Sequence, residues 1–144
     1  MKTYKPLFEE LDPRKIIPHH ELNSSNIGLF IDYYRGNYVP PVPVIRAPRE
    51  LEPIGKYINY NGHHRTDAGL RVMDLRETFR LPCLLIESDK DLKYLFNNPP
   101  IFKGEIYPEV LESLGLDFEK HKEYVIDQAK KYLKIRKIKK EKSL

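Results

Sequence analysis

The chain has 144 residues, of which 40% are hydrophobic and 16 aromatic (ten Tyr, six Phe), so it holds one domain with a real core and is not a disordered polymer. Its net charge of +4 is unevenly spread: residues 130–142 carry eight basic side chains against Glu141, leaving 17 basic and 20 acidic residues in 1–129. No apolar run nears the ~20 residues that span a bilayer, and Met1-Lys2-Thr3-Tyr4-Lys5-Pro6 lacks a signal-peptide core. One cysteine cannot form an internal disulfide framework, so the expected setting is the reducing cytoplasm.

Leu7, Phe8 and Leu11 among Glu9, Glu10 and Asp12 predict one or two amphipathic turns before Pro13. Ile16-Ile17 begins a strand. Asn23-Ser24-Ser25-Asn26 offers N-cap side chains for a helix through Ile27, Leu29, Phe30 and Tyr33-Tyr34, and Gly36-Asn37 ends it. Residues 39–53 contain five prolines. Pro41 and Pro43, alternating with Val42 and Val44, predict an edge or bulged strand over 41–45, because proline cannot donate to a central ladder. Arg46 to Gly55 reads as a surface loop.

Lys56-Tyr57-Ile58-Asn59-Tyr60 alternates and is β-prone, and a helix follows through Leu70, Val72 and Met73. Leu81 to Glu87 is an apolar strand. Ser88-Asp89 caps a short helix to Phe96, which Asn97-Asn98-Pro99-Pro100 stops. Beyond lie a helix around Pro108 to Leu114, a break at Gly115 and a longer helix from about Asp117 to Ile138. Its stripe of Phe118, His121, Tyr124-Val125, Ala129, Tyr132 and Ile135 suits packing in its first half. Past Tyr132 the tail is basic enough to project.

The richest segment is Asn61-Gly62-His63-His64-Arg65-Thr66-Asp67-Ala68-Gly69, between a strand and a helix. A glycine there lets backbone approach a ligand, the next helix presents N–H groups, and imidazoles and a guanidinium suit phosphate oxygens. A solvated first turn is the plain alternative, and local physics does not decide between the two. On the phosphate reading, the backbone of 62–64 and the Arg65 side chain bind, with His63, His64 and Thr66 as further donors. Arg65 is read as exposed, so Arg65→Ala is expected to remove nucleotide binding and leave the fold intact.

From Lys15 to Tyr94 the order of pieces resembles the ParB/sulfiredoxin superfamily: Ile16-Ile17-Pro18, the acidic-apolar Glu21-Leu22, a helix, a strand, and the Gly-x-x-Arg-x-x-Ala turn at Gly62, Arg65 and Ala68. The strand Leu81 to Glu87 then closes the unit. The resemblance implies an α/β fold (an α+β mixed sheet) as a single domain over 15–96, after an N-terminal segment 1–14 and before a helical extension 97–144. Sulfiredoxins carry a reactive cysteine where this chain has His63, and Cys83 lies mid-strand, so that chemistry is excluded. Partition ParB proteins read Gly-Glu-Arg-Arg at the turn and continue to an Asn-x-x-Arg motif and a helix-turn-helix. Here no Asn-x-x-Arg follows Glu87, and the ~50 residues beyond are scant for a helix-turn-helix with a dimer module, so a full partition clamp is not expected.

The turn is most similar to the Asp-Gly-His-His-Arg of ParB-like free serine kinases and of small ParB-like proteins classed as nucleases. Asn61 replaces their aspartate, and an amide neither accepts a proton nor holds Mg²⁺ strongly. Glu21 falls near an acidic residue of those proteins. Any turnover is assigned to Glu21, His64 and Asn61, the last only to position a hydroxyl, with a nucleoside triphosphate and Mg²⁺ as cofactor. Adjacent histidines usually cannot both face one ion, and no cysteine or carboxylate stands at ligand spacing, so no transition-metal site is expected from His19-His20 and His63-His64.

The tail residues Lys130, Lys131, Lys134, Arg136, Lys137, Lys139, Lys140 and Lys142 suit nucleic acid better than a membrane surface, since few apolar residues follow Ile138. The expected function is nucleotide-phosphate binding at 62–65 coupled to DNA association, with any turnover being Mg²⁺-dependent NTP hydrolysis or phosphodiester cleavage. A ParB-like nuclease, a serine-type kinase and a non-enzymatic DNA-binding or adaptor protein are the alternatives. A homodimer is compatible with all of these.

Overall fold

The computed structural model describes residues 4–22, 26–102 and 108–142, with backbone only at 108 and 138–142. Five strands form one mixed sheet: β1 (Leu7–Leu11), β2 (Ile16–Ile17), β3 (Val42–Arg46), β4 (Tyr57–Asn59) and β5 (Leu81–Leu85), in the order β1-β5-β3-β4-β2. β1 and β5 are antiparallel, as are β3 and β4, whereas β3 runs parallel to β5 and β2 to β4. Five helices complete the fold: α1 (Ile27–Arg35), α2 (His63–Leu75), α3 (Asp89–Phe96), α4 (Pro108–Leu114) and α5 (Phe118–Lys142). The α/β class with a mixed sheet and a C-terminal helix is the one the sequence predicts.

The two-residue period of the strands sorts their side chains into two cores. Val42, Val44, Leu81, Cys83 and Leu85 point to one side, where Tyr33 of α1 and Ala68 and Val72 of α2 cover them. Ile45, Ile58, Leu84 and Ile86 point to the other, against Leu92 and Leu95 of α3 and Phe118, Val125 and Ala129 of α5. Both faces are therefore covered, which explains why β3 and β5 read as nearly continuous apolar runs.

Local signals set the helix ends. The Asn26 side chain accepts from Leu29 N and caps α1, Gly36 closes it in the left-handed region, and Ser88 accepts from Asp91 N to cap α3. Residues 23–25, also read as capping candidates, lie outside the described residues.

Two expectations change. Leu7–Leu11 is a strand rather than a helical turn, because pairing Leu7 with Leu85 through Leu11 with Leu81 satisfies its backbone. β3 is the central strand rather than an edge. Pro43 is tolerated there because its position falls just past the end of β4, where its carbonyl accepts from Tyr60 N at 3.0 Å and no N–H is demanded of it. β1 belongs to the sheet, and Ile101, Phe118 and Val125 share a core with Ile17 and Ile58. Among the described residues no helix is long and apolar enough to cross a membrane.

Candidate functional site: a polar cleft between α2 and α5

Gly62 caps α2 with φ 81°, a conformation that L side chains rarely adopt, and α2 has no side-chain N-cap bond. The strand-to-helix turn is thus as the sequence predicts. The arginine within it is not. Arg65 is 2% exposed, and its guanidinium donates to the carbonyls of Pro41 at 2.7 Å, Pro40 at 3.2 Å and Ile101 at 2.6 Å. It also donates to Asn61 Oδ1 at 3.4 Å. Arg65 is an internal clamp that ties α2 to the approach to β3 and to the segment after α3. The exposed position expected of Arg65 is therefore corrected.

The reason lies in helical geometry. Arg65, Ala68, Gly69 and Val72 recur at three- and four-residue spacing and are all buried, so Arg65 belongs to the core face of α2. His63, Thr66, Asp67 and Leu70 follow the same spacing on the opposite face, and those four residues line an open cleft of about 640 Å³. The remaining walls come from Arg14, Ile16, Pro18, His20 and Glu21 near β2, Asn59 of β4, and Tyr132 and Arg136 of α5.

The cleft collects some predicted residues and leaves others out. Glu21, His63 and Thr66 line it, whereas Gly62, His64, Arg65 and Asn61 do not. Asn61 is fully buried beside Arg65, so its side chain is not placed to act on a substrate in this cleft. His64 is half-buried, and its Nδ1 has no hydrogen-bond partner among the described residues. Asn59 is a residue that sequence reasoning missed. Its Nδ2 donates to Thr66 Oγ1 at 2.9 Å and to Asn61 O at 3.2 Å, while its buried Oδ1 has no partner among the described residues.

Charge on the cleft wall is mostly spoken for. Arg14 pairs with Asp12 at 2.8 Å, and that hydrogen-bonded guanidinium holds the Asp12 carboxyl below the usual range. Asp67 pairs with Arg71 at 3.2 Å. Arg136 makes no ion pair among the described residues. It stands four residues after Tyr132 and continues the stripe Phe118, His121, Val125 and Ala129, so the helix face that packs the core passes into the cleft.

Of the other tail residues, Lys130 pairs with Glu50 at 2.9 Å and Lys131 with Asp127 at 3.1 Å, while Lys134 and Lys137 are exposed. Lys139, Lys140 and Lys142 lie on the α5 backbone, and their side chains are outside the described residues.

The histidines are placed differently from the expectation drawn from adjacency. A bend at residues 19–20 brings both rings beside His63, with centroids 4.5 Å (His19) and 3.8 Å (His20) from it. His63 Nε2 accepts the His19 backbone N–H at 3.0 Å. His121 is elsewhere, buried, receiving the Tyr60 hydroxyl on Nδ1 and donating from Nε2 to Gly115 O. Cys83 is buried, and desolvation pushes its thiol up to about 12, which leaves no thiolate for nucleophilic chemistry.

A slightly larger hollow of about 710 Å³, lined by Phe8, Tyr33, Tyr38 and Phe79 among others, is mostly apolar and holds none of the candidate residues. Neither protein-family models nor curated proteins give a match to this chain.

Proposed function

We propose that the protein binds nucleic acid, seating one nucleotide unit of a strand in the cleft while the basic stretch of α5 follows the neighbouring phosphates. The observation that carries this reading is that Tyr132 and Arg136 of the basic helix line the same cleft as His63 and Thr66 of α2. Polar pocket and basic helix are one continuous surface. Arg136, with no acidic partner among the described residues, is the cation for a phosphate. Tyr132 offers a ring for a base, and Asn59 Oδ1 is a buried acceptor that a ligand donor would satisfy. A volume of about 640 Å³ is in the range of nucleotide-sized ligands. The resemblance of the Gly62–Ala68 turn to ParB-like proteins supports the same class of ligand, with the phosphate held by the cleft face of α2 in place of Arg65.

The test is fluorescence anisotropy with labelled single-stranded and duplex DNA and a labelled nucleoside triphosphate with Mg²⁺. Arg136→Ala is expected to weaken binding at least about tenfold and to lower the log–log salt slope by about 0.7–0.9, the contribution of one phosphate contact. Lys131→Ala, which removes a cation already paired with Asp127, should change far less. Equal affinities for wild type and Arg136→Ala would remove the cleft from the function. Preference for the free triphosphate over both DNA forms would convert the reading to mononucleotide binding.

A further inference from the structure

His19, His20 and His63 each bring one ring nitrogen within 4.8 Å of the others. Two of the rings are buried, at 6% for His19 and 2% for His63, and the three are mutually tilted by 32–40° with centroids 3.8–5.2 Å apart. Two buried imidazoles and a partly exposed third thus meet at one point. The neutral imidazole is the metal-binding form.

The hydrogen bonds sort the nitrogens. His20 Nδ1 lies 2.9 Å from the Glu21 carbonyl, which can only accept, so Nδ1 carries the proton and Nε2 is the basic nitrogen. A ring N–H held by a backbone carbonyl is the outer support that metal-bound imidazoles commonly have. His20 and His63 line the cleft and His19 does not, so the cluster is closed behind and open in front.

We propose that His19, His20 and His63 bind a transition-metal dication of the Zn²⁺ class, with the remaining coordination position open to the cleft. Three imidazoles select Zn²⁺, Co²⁺, Ni²⁺ or Cu²⁺ over Mg²⁺, which takes oxygen ligands. Three protein ligands with an open fourth position are the arrangement of ions that meet a ligand rather than only brace a fold. Tetrahedral bonds of about 2.0–2.1 Å need nitrogens roughly 3.4 Å apart, so from separations within 4.8 Å capture draws the rings together by at most about 1.4 Å. His63 has one proton to share between its nitrogens when neutral. Whichever of them takes the ion, the His19 N–H to Nε2 bond is exchanged for the metal bond, so the amide of His19 reports capture directly.

The experiment uses the full chain, purified without a histidine tag and stripped with a chelator. Co²⁺ is titrated alone and followed by its visible ligand-field bands, and Zn²⁺ affinity is measured by competition with a chromophoric chelator. One ion per chain is expected, with loss of the His19 amide's protection from hydrogen exchange. His20→Ala, at a partly exposed site where the fold is not at risk, should weaken Zn²⁺ at least about 100-fold, beyond the 10–100-fold that loss of an outer-shell partner costs. His64→Ala should change nothing. His63→Ala adds support where circular dichroism shows it folded.

A stoichiometry near zero, or equal Zn²⁺ affinity for wild type and His20→Ala, overturns the site. No nucleic acid is present in these titrations, so their failure leaves the reading of the cleft as a nucleotide site standing, and their success does not depend on it.

Discussion

The first turn of α2 and the last turns of α5 carry the same kind of charge and use it in opposite ways. Arg65 turns its guanidinium inward onto three backbone carbonyls, while Arg136 stands at a cleft with no carboxylate to hold it among the described residues. An arginine in a phosphate-like motif is a ligand only where its donors are left for one. At Arg65 the carbonyls of Pro40, Pro41 and Ile101 claim them, and adjacent prolines are well suited to this, since they add carbonyls without N–H groups that would compete.

The comparison breaks most sharply at Arg65. Arg65→Ala strands three carbonyls and opens a void between α2, the 40–41 segment and Ile101. Each unsatisfied buried group costs about 1–3 kcal/mol, so a total loss of about 3 kcal/mol or more is expected in urea unfolding. Arg65→Lys keeps the charge but cannot reach three carbonyls in a fork and should recover only part of it. A variant within about 1 kcal/mol of wild type would mean the clamp is not structural.

Gly62→Ala is the next largest effect and probes the same clamp from the backbone. At φ 81° an alanine costs about 1–2 kcal/mol. Its Cβ would also lie 2.8 Å from Arg65 Nη2, an atom that hydrogen bonds to Ile101 O and Asn61 Oδ1 keep from moving away freely. A loss of about 2 kcal/mol is expected in the same assay. If Arg65→Ala is made first, the steric part should vanish, and a double-mutant cycle showing no coupling would separate Gly62 from the clamp.

These contrasts show what was legible in the chain. The caps at Asn26, Gly36 and Ser88 act over three or four residues, and the sequence carries them whole. The inward face of Arg65 was also legible, because Ala68, Gly69 and Val72 follow it at core spacing, but the likeness of the turn to a phosphate motif drew the reading the other way. Leu7–Leu11 has no alternation of its own, and becomes a strand only by pairing with residues seventy or more positions later. The cleft was least legible. It needs β2, α2 and α5 together, and nothing local to His63 or Arg136 announces that they line one hollow.

The α5 side of the comparison is sharpened by removing charge without touching the core. Lys134, Arg136 and Lys137 are exposed, so replacing all three with glutamine should leave unfolding free energy within about 0.5 kcal/mol of wild type. DNA affinity should fall together with a decrease of about 2–3 in the salt slope, provided each makes one phosphate contact. Unchanged slope with unchanged stability would leave α5 a solvated end and not an interface.

The smallest effect separates a tethered lysine from an untethered one. Lys130 donates to Glu50 Oε1 at 2.9 Å, across from α5 to the loop before β4. That hydrogen bond is the main reason the Glu50 carboxyl is held below its ordinary range. A depressed carboxylate contributes its pairing above the ordinary range and loses it as pH falls through the lowered value, so near neutral pH the pair is fully formed. Lys130→Ala should then reduce the salt slope for DNA by less than half of what Lys134→Ala does. Glu50→Gln should move binding the other way, releasing Lys130 to the phosphates and raising both affinity and slope slightly. If Lys130→Ala and Lys134→Ala lose the same slope, the Glu50 contact is not held in solution, and the whole exposed face of α5 acts as one even field of charge.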